Sequence, residues 1–416
     1  MAIAVTPPRG MRDFLPADKA VRERSLGIIR ESFRAHGFDE IETPVMEDSA
    51  RLHSGLGGDN EKLAFAVLKR GLSAADVAAA AEQDDLLSLA DLGLRFDLTV
   101  PLARFYATHR AALPTVFRSI QIAPVWRAER PQKGRYRQFM QCDIDIIGEA
   151  GALAEIELIT ATAATLDQLG LTGCSIRIND RRILSALLAH WGVPSELTER
   201  ALIVIDKLDK IGVDGVATEL GALGIDAPDL AALLTELGTG GWSLGDSAPD
   251  WLNPEAFADL TALRAALPGV DLAFDPTLVR GMGYYTGTIF EISHPDLGYS
   301  LGGGRYDGMI GRFLGTDVPA CGFSIGFERI VDLLQADAAS AQQAVVLVHE
   351  KDADPARLVA LKRDLVAGGL RVRLERRTKN LKALLDRAGE AGYGRFAFVT
   401  ADTQAADDLD FKPLGA

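Results

Sequence analysis

The residues best suited to chemistry in this chain lie between positions 125 and 148, where charged side chains are set between two apolar flanks. The flanks are typical of strands, and Pro131 and Gly134 mark a bend between them, so the pattern predicts two antiparallel strands joined by a mobile loop. A solvated hairpin with ordinary surface charge is the plain alternative, which the apolar flanks disfavour. The charged and polar residues that we assign to the strands are Arg127 and Glu129 on the first and Gln141, Asp143 and Asp145 on the second.

The spacing of these residues places them on common faces, because alternate residues of a strand point to the same side. Arginine binds phosphate through a bidentate fork, and a carboxylate pairs with an ammonium group. A sheet face with both kinds of charge, beneath a cationic loop, therefore suits a zwitterion that lies beside a polyphosphate. The cations of the predicted loop are Arg130, Lys133, Arg135 and Arg137.

Residues 127–137, with the sequence Arg-Ala-Glu-Arg-Pro-Gln-Lys-Gly-Arg-Tyr-Arg, closely resemble motif 2 of class II aminoacyl-tRNA synthetases, in the form of the histidyl-tRNA synthetase family. Residues 17–44, an amphipathic helix followed by a short strand that ends at proline, resemble motif 1, which builds a dimer interface in that class. Residues 320–329 resemble motif 3. The resemblance implies an α+β catalytic core with a mixed, mainly antiparallel sheet, and a homodimer formed through residues 17–47.

Two further segments resemble motifs of the same family. Residues 94–101, Leu-Arg-Phe-Asp-Leu-Thr-Val-Pro, resemble a motif whose acidic residue contacts the amino group of the substrate. Asp97 would have that role, and a helix N-cap is a compatible structural alternative for it. Residues 275–291 and 301–308 resemble the histidine-specific motifs, although Gly283 stands where the family often has Asp.

The resemblance also implies a two-step reaction, in which histidine and ATP give histidyl-adenylate and pyrophosphate and the histidine then passes to the 3′ end of tRNA. ATP would bring Mg²⁺, held mainly by the phosphates. The implied catalytic residues, whose cations would stabilise charge at the α-phosphate, are Arg280 and Arg127. The implied ATP-binding residues are Arg127, Glu129, Arg135 and Arg329. The implied histidine-binding residues are Asp97, Thr99, Gln141, Asp145, Tyr284 and Tyr285.

Some of these residues also fit a purely structural role. Asp145 suits an inward-pointing charge at a sheet edge. Either Tyr284 or Tyr285 suits a core aromatic, since neighbouring residues of a strand face opposite ways. The glycines at 302–304 suit a tight turn as well as the close approach of a ligand to the backbone.

The chain divides by pattern into several domains. We assign residues 1–174 and 266–335 to the catalytic core, residues 175–265 to a helical insertion, and residues 336–343 to a polar linker. Residues 344–416 alternate between strand and helix patterns, which predicts a small α/β domain with a largely parallel sheet. This last domain resembles the anticodon-binding domain of the family.

Positive charge is concentrated in the last domain, where eleven Lys or Arg stand against four Asp or Glu between Arg357 and Arg395. The whole chain has a formal charge of −14, so this local excess favours contact with nucleic acid, with an ordinary solvated face as the alternative. Together with the motif 2 loop, the cluster supplies the residues that we expect to contact tRNA, namely Arg130, Lys133, Arg371, Arg373, Arg376 and Lys379.

The composition, 48% hydrophobic and 25% charged over 416 residues, is that of a globular protein with full cores. No apolar run reaches the roughly 18 residues of a membrane span, and the N-terminus lacks a secretory signal. The three cysteines and six histidines are scattered, which disfavours disulfides and a structural zinc site. We therefore expect a cytoplasmic protein with no membrane contact and no metal ion held by the protein itself.

Two other functions share much of this pattern. The first is the regulatory subunit of ATP phosphoribosyltransferase, a histidine-sensing paralog that typically lacks the C-terminal domain and loses the ATP and tRNA motifs. The second is a synthetase-like enzyme that uses the adenylate to modify something other than tRNA, for which Gly283 and the slightly short C-terminus are the support. The retained residues Arg127, Glu129, Arg280 and Arg329 and the C-terminal domain disfavour the regulatory subunit, whereas the sequence leaves the second alternative open.

Overall fold

The computed structural model describes residues 5–53, 63–132, 134–225, 250–279, 285–294, 298–334 and 342–414, with the backbone alone described at 209–210 and 298–301. Two compact units make up the chain. The larger comprises Met1–Arg12 and Leu26–Asp332, and the smaller comprises Asp13–Ser25 and Leu333–Ala416. The first helix therefore contributes to both units.

The larger unit is built from strands and helices that alternate irregularly along the chain. Its strands are β1 (Asp39–Glu40), β2 (Met46–Asp48), β3 (Phe65–Leu68), β4 (Ala90–Leu94), β5 (Phe117–Trp126), β6 (Gln138–Ile147), β7 (Ser175–Asp180), β8 (Leu272–Phe274), β9 (Thr288–His294), β10 (Gly298–Arg305) and β11 (Ala320–Ile325). Its helices are α1 (Pro16–Ala35, in part), α2 (Ser49–His53), α3 (Ala74–Glu82), α4 (Thr99–His109), α5 (Leu153–Gln168), α6 (Arg181–His190), α7 (Thr198–Ile205), α8 (Leu208–Ala222), α9 (Pro254–Ala266), α10 (Asp307–Leu314) and α11 (Phe327–Val331).

An eight-stranded sheet in the order β1-β5-β6-β11-β10-β9-β7-β8 dominates the larger unit. Its central pairs are antiparallel, and only the edge pairs β1–β5 and β7–β8 are parallel. The predicted mixed, mainly antiparallel core is therefore confirmed. The insertion was predicted to begin at residue 175, and this boundary is too early, because β7 hydrogen-bonds to β9 as a strand of the main sheet.

One face of this sheet is apolar and covered by helix α5. Ile144 and Ile146 of β6 and Phe323 of β11 point to this side and are buried. Helix α5 buries Leu158 and Leu166 against the same layer. The helix predicted at residues 17–36 is present as α1, whose apolar stripe at Leu26, Ile29 and Phe33 is buried as its spacing requires. The opposite face carries the polar side chains of β6, and at its end Phe117 and Ile147 are buried in a second apolar cluster.

Two smaller elements accompany the main sheet. A separate three-stranded sheet in the order β2-β4-β3 is formed by the chain between β1 and β5. Between its strands, the Ala-rich segment forms helix α3, which begins with a capping box in which Ser73 and Asp76 exchange hydrogen bonds. Helices α6 to α8 pack their leucines and Trp191 into a cluster that also includes Ile289 of β9, and α8 is interrupted at Gly212, where φ is 69°.

The smaller unit contains a third sheet, of four strands. Its elements after residue 342 are β12 (Ala344–His349), α12 (Pro355–Ala367), β13 (Arg371–Arg376), α13 (Leu381–Glu390), β14 (Arg395–Val399) and β15 (Lys412–Pro413). The strand order is β13-β12-β14-β15, with the first three strands parallel and β15 antiparallel. This confirms the predicted small α/β domain with a largely parallel sheet.

Candidate functional site

The polar face of the main sheet gathers the candidate residues of β6. Strand β6 lies between β5 and β11, and residues paired directly across strands share a face. Asp143 pairs with Gln121 on one side and Ser324 on the other. Asp145 pairs with Ser119 and Gly322 in the same way. The parity inferred from sequence is therefore realised as a continuous polar surface, opposite to the face covered by α5.

At one end of this surface lies the side-chain amide of Gln141, whose nitrogen is hydrogen-bonded and whose oxygen, among the described residues, is not. Its side-chain Nε2 donates a hydrogen bond to Asp143 Oδ2 at 3.1 Å, and the residue is only 5% exposed. Within the part of the chain that the structure describes, its Oε1 is buried and accepts no hydrogen bond. A buried acceptor without a partner costs free energy unless something donates to it, so this oxygen marks a position where a ligand donor fits.

Asp145 is held by a residue that sequence reasoning missed. The hydroxyl of Tyr306 donates to Asp145 Oδ1 at 2.6 Å, and both residues are buried. Burial raises the pKa of Asp145 to about 7, the Tyr306 hydroxyl lowers that pKa, and the nearby Asp97 raises it. Tyr306 lies inside the motif at residues 301–308, so the segment was recognised, but nothing in a single sequence shows that its ring reaches β6.

Asp143 is the third carboxyl group of this surface. Burial raises its pKa well above the ordinary value, and the charge of Asp145 adds to that increase. Neighbouring carboxyl groups in a buried environment disfavour simultaneous ionisation, so the face as a whole is prepared for a cation. An ammonium or an imidazolium ion is the chemical group that this arrangement suits.

Asp97 and Arg127 meet beside this surface. Asp97 precedes helix α4, and its Oδ1 accepts a hydrogen bond from the backbone N–H of Val100 at 3.3 Å, so the carboxylate helps to cap the helix. Burial raises the pKa of Asp97, whereas the Val100 and Thr99 N–H groups and the Arg127 cation lower it. Arg127 Nε also donates to the carbonyl of Phe96 at 3.0 Å. These contacts bring a predicted phosphate-binding cation next to a predicted ammonium-binding anion.

The first strand of the motif 2 hairpin ends earlier than predicted. Strand β5 stops at Trp126, so the assignment of Arg127 and Glu129 to the strand is wrong. The ladder continues for one bond, from Arg127 N–H to the Arg137 carbonyl at 2.8 Å. It then stops because the N–H of Arg137 donates to the carbonyl of Gly10 at 2.8 Å instead of to the partner strand.

The loop beyond the strands closes on itself in a tight turn. The backbones of Gln132 and Arg135 exchange two hydrogen bonds, and Gly134 has a φ of 73°, which favours glycine. The Arg135 guanidinium pairs with Glu129 at 3.0 Å. A Cβ at Gly134 would lie 3.8 Å from Arg329 Nε, so the motif 3 arginine lies against the loop.

Strand β10 shows why glycines occur at 302–304. The run is a strand and not a tight turn. A Cβ at Gly302 would lie 1.9 Å from the Phe290 carbonyl, and one at Gly304 would lie 2.5 Å from the Thr288 carbonyl. Neighbouring backbone therefore approaches too closely for any side chain. Gly304 also pairs with Gly322, which leaves this part of the polar face without bulk.

Several predicted site residues lie outside the described residues, namely Lys133, Arg280, Gly283 and Tyr284. Tyr285 is described and is partly buried, and it packs against two apolar clusters of the larger unit. This placement agrees with the core-aromatic alternative for Tyr285. Among the described residues, no group of three or more His, Cys, Asp or Glu is placed to hold a metal ion.

The basic residues of the smaller unit form a surface on its edge strand. β13 lies at the edge of the sheet. The guanidinium groups of Arg371 and Arg373 lie 4.5 Å and 4.7 Å from the centre of the Tyr393 ring, a cation–π arrangement that fixes both side chains. Arg376 and Lys379 follow and are exposed. We call this set, Arg371, Arg373, Arg376 and Lys379, the edge-strand basic surface.

Comparison with known proteins identifies relatives along the whole chain. The model of the histidyl-tRNA synthetase family matches residues 10–330. A histidine–tRNA ligase from Leifsonia xyli subsp. xyli is 65% identical, with 100% of this chain and 99% of the relative covered. A histidine–tRNA ligase from Aeropyrum pernix is 36% identical, with 95% of this chain and 90% of the relative covered.

Solved structures share the fold. A histidyl-tRNA synthetase from Nostoc sp. PCC 7120 superposes with a TM-score of 0.75 at 24% identity, over 99% of this chain and 95% of that one. An ATP phosphoribosyltransferase regulatory subunit/histidyl-tRNA synthetase from Bacillus halodurans C superposes with a TM-score of 0.73 at 23% identity, over 96% of this chain and 100% of that one. The fold alone therefore does not separate the two functions, and the sequence identity has to decide.

Proposed function

This chain belongs to the histidyl-tRNA synthetase family, and on that premise we propose how its residues carry out the family's reaction. It is an ATP-dependent ligase that attaches histidine to tRNA. The observation that carries this conclusion is the 65% identity to a histidine–tRNA ligase over the full length of this chain. The regulatory-subunit alternative is less supported, because the C-terminal α/β domain and the motif arginines Arg127 and Arg329 are present.

We propose that histidine binds on the polar face of the main sheet. Asp97, Thr99, Gln141 and Asp145 would surround its polar ends, and the buried Oε1 of Gln141 supports an ammonium donor at that point. Tyr284 and Tyr285 would lie near the imidazole. A site that hydrogen-bonds both ring nitrogens of the imidazole rejects isosteric side chains strongly, because a wrong substrate leaves buried polar groups unpaired.

ATP would bind beside the histidine, under the motif 2 loop. We assign Arg127 to the α-phosphate, Arg329 to the γ-phosphate, Arg135 to the bent triphosphate and Glu129 to the adenine. The Arg135–Glu129 pair is partly exposed, with side chains 43% and 25% accessible. Exposed ion pairs contribute about 0–1 kcal/mol, so exchanging this pair for contacts with ATP costs little. Mg²⁺ enters as part of the substrate, held mainly by phosphates.

Catalysis would rest on fixed cations rather than on a general base. Negative charge grows on the α-phosphate oxygens as the histidine carboxylate attacks, and cations already in place stabilise it without reorganising. We propose Arg127 and Arg280 for this role. Arg127 donates to the carbonyl of Phe96, the residue before Asp97. This contact supports a site in which the α-phosphate and the histidine are held next to each other.

tRNA would be contacted at two places. Arg130 and Lys133 of the motif 2 loop are proposed for the acceptor end, and the edge-strand basic surface for the anticodon arm. The exposure of Arg376 and Lys379 supports the second assignment, because phosphate contacts need accessible cations.

For the helical insertion we propose a beginning after Asp180 and an end at residue 265. The catalytic core would resume at residue 266, and the last domain would begin at residue 344.

We also propose a cytoplasmic homodimer. The segment after motif 1 exposes Val45 and Met46, 42% and 45% accessible, on the surface of the larger unit. Exposed apolar neighbours are typical of an interface, and they lie within the residues 17–47 expected to form it. Among the described residues, no helix is both long and apolar enough to cross a membrane.

Two assays on the purified full-length protein test the function. Histidine-dependent ATP–pyrophosphate exchange measures adenylate formation, and charging of tRNA measures transfer. We expect both activities. A regulatory protein would show neither, and an enzyme that modifies another acceptor would show exchange without charging of tRNA.

A further inference from the structure

Asp143 has no role in the site described so far, yet it lies at its centre. On strand β6 it stands two residues from Gln141 and two from Asp145, so all three side chains share the polar face. It is 6% exposed. A buried carboxyl group is costly unless it is hydrogen-bonded, so its partners indicate what it does.

One partner of Asp143 is the amide of Gln141, and the hydroxyl of Ser324 on β11 is another, since hydrogen bonds from both side chains lower the pKa of Asp143. Nε2 of Gln141 lies 3.1 Å from Oδ2 and 3.4 Å from Oδ1 of Asp143. A primary amide carries its donor and its acceptor on the same carbon. Holding the nitrogen against Asp143 therefore turns Oε1 away from Asp143, and this oxygen is the buried acceptor without a partner among the described residues.

We propose that Asp143 is a positioning residue for histidine binding, which fixes the Gln141 amide so that its oxygen, and not its nitrogen, faces the substrate ammonium. This inference rests on the proposed role of Gln141 in the histidine site. Without Asp143, the amide is free to rotate by half a turn about its last bond. The NH₂ group would then face the ammonium, donor against donor.

The proposed role needs an acceptor at position 143 and does not need a charge. A neutral carboxyl group still offers its carbonyl oxygen to Gln141 Nε2. Burial and the neighbouring Asp145 favour this neutral form by raising the pKa of Asp143. Asparagine at this position offers the same oxygen at the same distance from the backbone. Direct attraction between Asp143 and the substrate cation would instead require the negative charge.

A double-mutant cycle separates these possibilities. The KM for histidine is measured by ATP–pyrophosphate exchange in full-length Gln141→Ala, Asp143→Ala, the double variant and Asp143→Asn. We expect each alanine variant to raise this KM about tenfold, as expected when a hydrogen bond to a charged group is removed. The double variant should be no worse than Gln141→Ala alone, because Asp143 acts only through Gln141. Asp143→Asn should stay close to wild type, and the KM for ATP should be unchanged throughout.

The outcomes distinguish this inference from the proposed function. If Gln141→Ala raises the KM for histidine while Asp143→Ala does not, the positioning role of Asp143 is wrong. It is also wrong if the increase in KM of the double variant equals the product of the increases of the two single variants. In both cases the proposed histidine site stands. If Asp143→Asn raises the KM for histidine as much as Asp143→Ala does, the positioning role is also wrong. That result would indicate a direct contact between the charge of Asp143 and the substrate. If Gln141→Ala has no effect, the assignment of Gln141 fails and the inference fails with it. Should Asp143→Ala not fold, as judged by thermal unfolding, Asp143→Val, which also offers no hydrogen-bond acceptor, replaces it in the cycle with the same expectation.

Discussion

The hydroxyl of Tyr306 donates a hydrogen bond to Oδ1 of Asp145 at 2.6 Å, across 161 positions of the sequence. Tyr306 follows β10 and Asp145 lies on β6, with β11 between the two strands. The absence of a side chain at Gly322 on β11 makes room for this contact, since a Cβ there would lie 2.0 Å from Asp145 Oδ1. The bond lowers the pKa of Asp145 and so opposes part of the effect of burial.

Removal of this hydroxyl should change the pH dependence of histidine use. In Tyr306→Phe the ionised form of Asp145 loses its hydrogen bond, so the pKa of Asp145 should rise above its value of about 7. The acidic limb of the pH profile of kcat/KM for histidine should move to higher pH. Free histidine titrates identically in the assays of the wild-type protein and of Tyr306→Phe. A difference between their pH profiles therefore reflects a group of the enzyme. An unchanged acidic limb would mean that ionised Asp145 is not needed for histidine binding.

Asp145→Asn should stabilise the free protein at alkaline pH while impairing activity. The folded-state pKa of about 7 lies above the ordinary 3.8, so the folded state binds more protons than the unfolded state between these values, and stability falls as pH rises through this window. Asparagine removes the buried charge and keeps an acceptor for Tyr306. We expect a gain of roughly 1–3 kcal/mol in the free energy of unfolding at pH 8, shrinking towards pH 4. Denaturant unfolding at the two pH values measures it, and a gain independent of pH would contradict it.

Arg280→Ala should abolish most adenylate formation and leave the fold intact. The cation is needed chiefly as charge builds at the α-phosphate, so kcat for ATP–pyrophosphate exchange should fall by about 100-fold or more, with a smaller change in KM. Arg363→Ala is a matched control, because that arginine is 76% accessible and lies on α12 of the smaller unit. Exchange near the wild-type rate in Arg280→Ala would remove Arg280 from the catalytic assignment.

The double variant Arg376→Ala, Lys379→Ala should weaken charging of tRNA without affecting ATP–pyrophosphate exchange. Both residues are exposed and belong to the edge-strand basic surface. For each cation that no longer binds a phosphate, the slope of log affinity against log salt should decrease by about one unit. Filter binding of tRNA across a salt series measures this slope, with Arg363→Ala again as the control. An equal decrease in the control would show that only the general charge of the domain matters.

The purified protein should be a dimer at micromolar concentration by light scattering, and Met46→Glu should shift it towards the monomer. Met46 is 45% accessible in the single chain, and burying a carboxylate at an apolar interface is costly. Glu82→Ala on helix α3 is a control of a surface residue outside residues 17–47. A wild-type monomer, or a dimer that Met46→Glu does not weaken, would place the interface elsewhere.

Much of the site was fixed by local regularities that a single sequence displays. Alternation along β6 put Gln141, Asp143 and Asp145 on one face, because the side-chain period of a strand is two whatever its neighbours are. The spacing of Leu26, Ile29 and Phe33 predicted the buried stripe of α1 for the corresponding reason in helices. The motifs and their order along the chain indicated the family and, with it, the mixed sheet and the α/β domain.

The tertiary structure decided what depends on partners distant in sequence. Strand β5 ends at Trp126 because Gly10 takes the hydrogen bond of Arg137, and no local pattern predicts that competition. The run at 302–304 is glycine because neighbouring strands approach it, which is a property of the assembled sheet. Tyr306 belongs to the site only because register across three strands brings its hydroxyl to Asp145. These contacts and the raised pKa of Asp145 depend on burial and on the order of the strands. Burial and strand order arise from residues distant in sequence, so the local spacing of residues does not predict them.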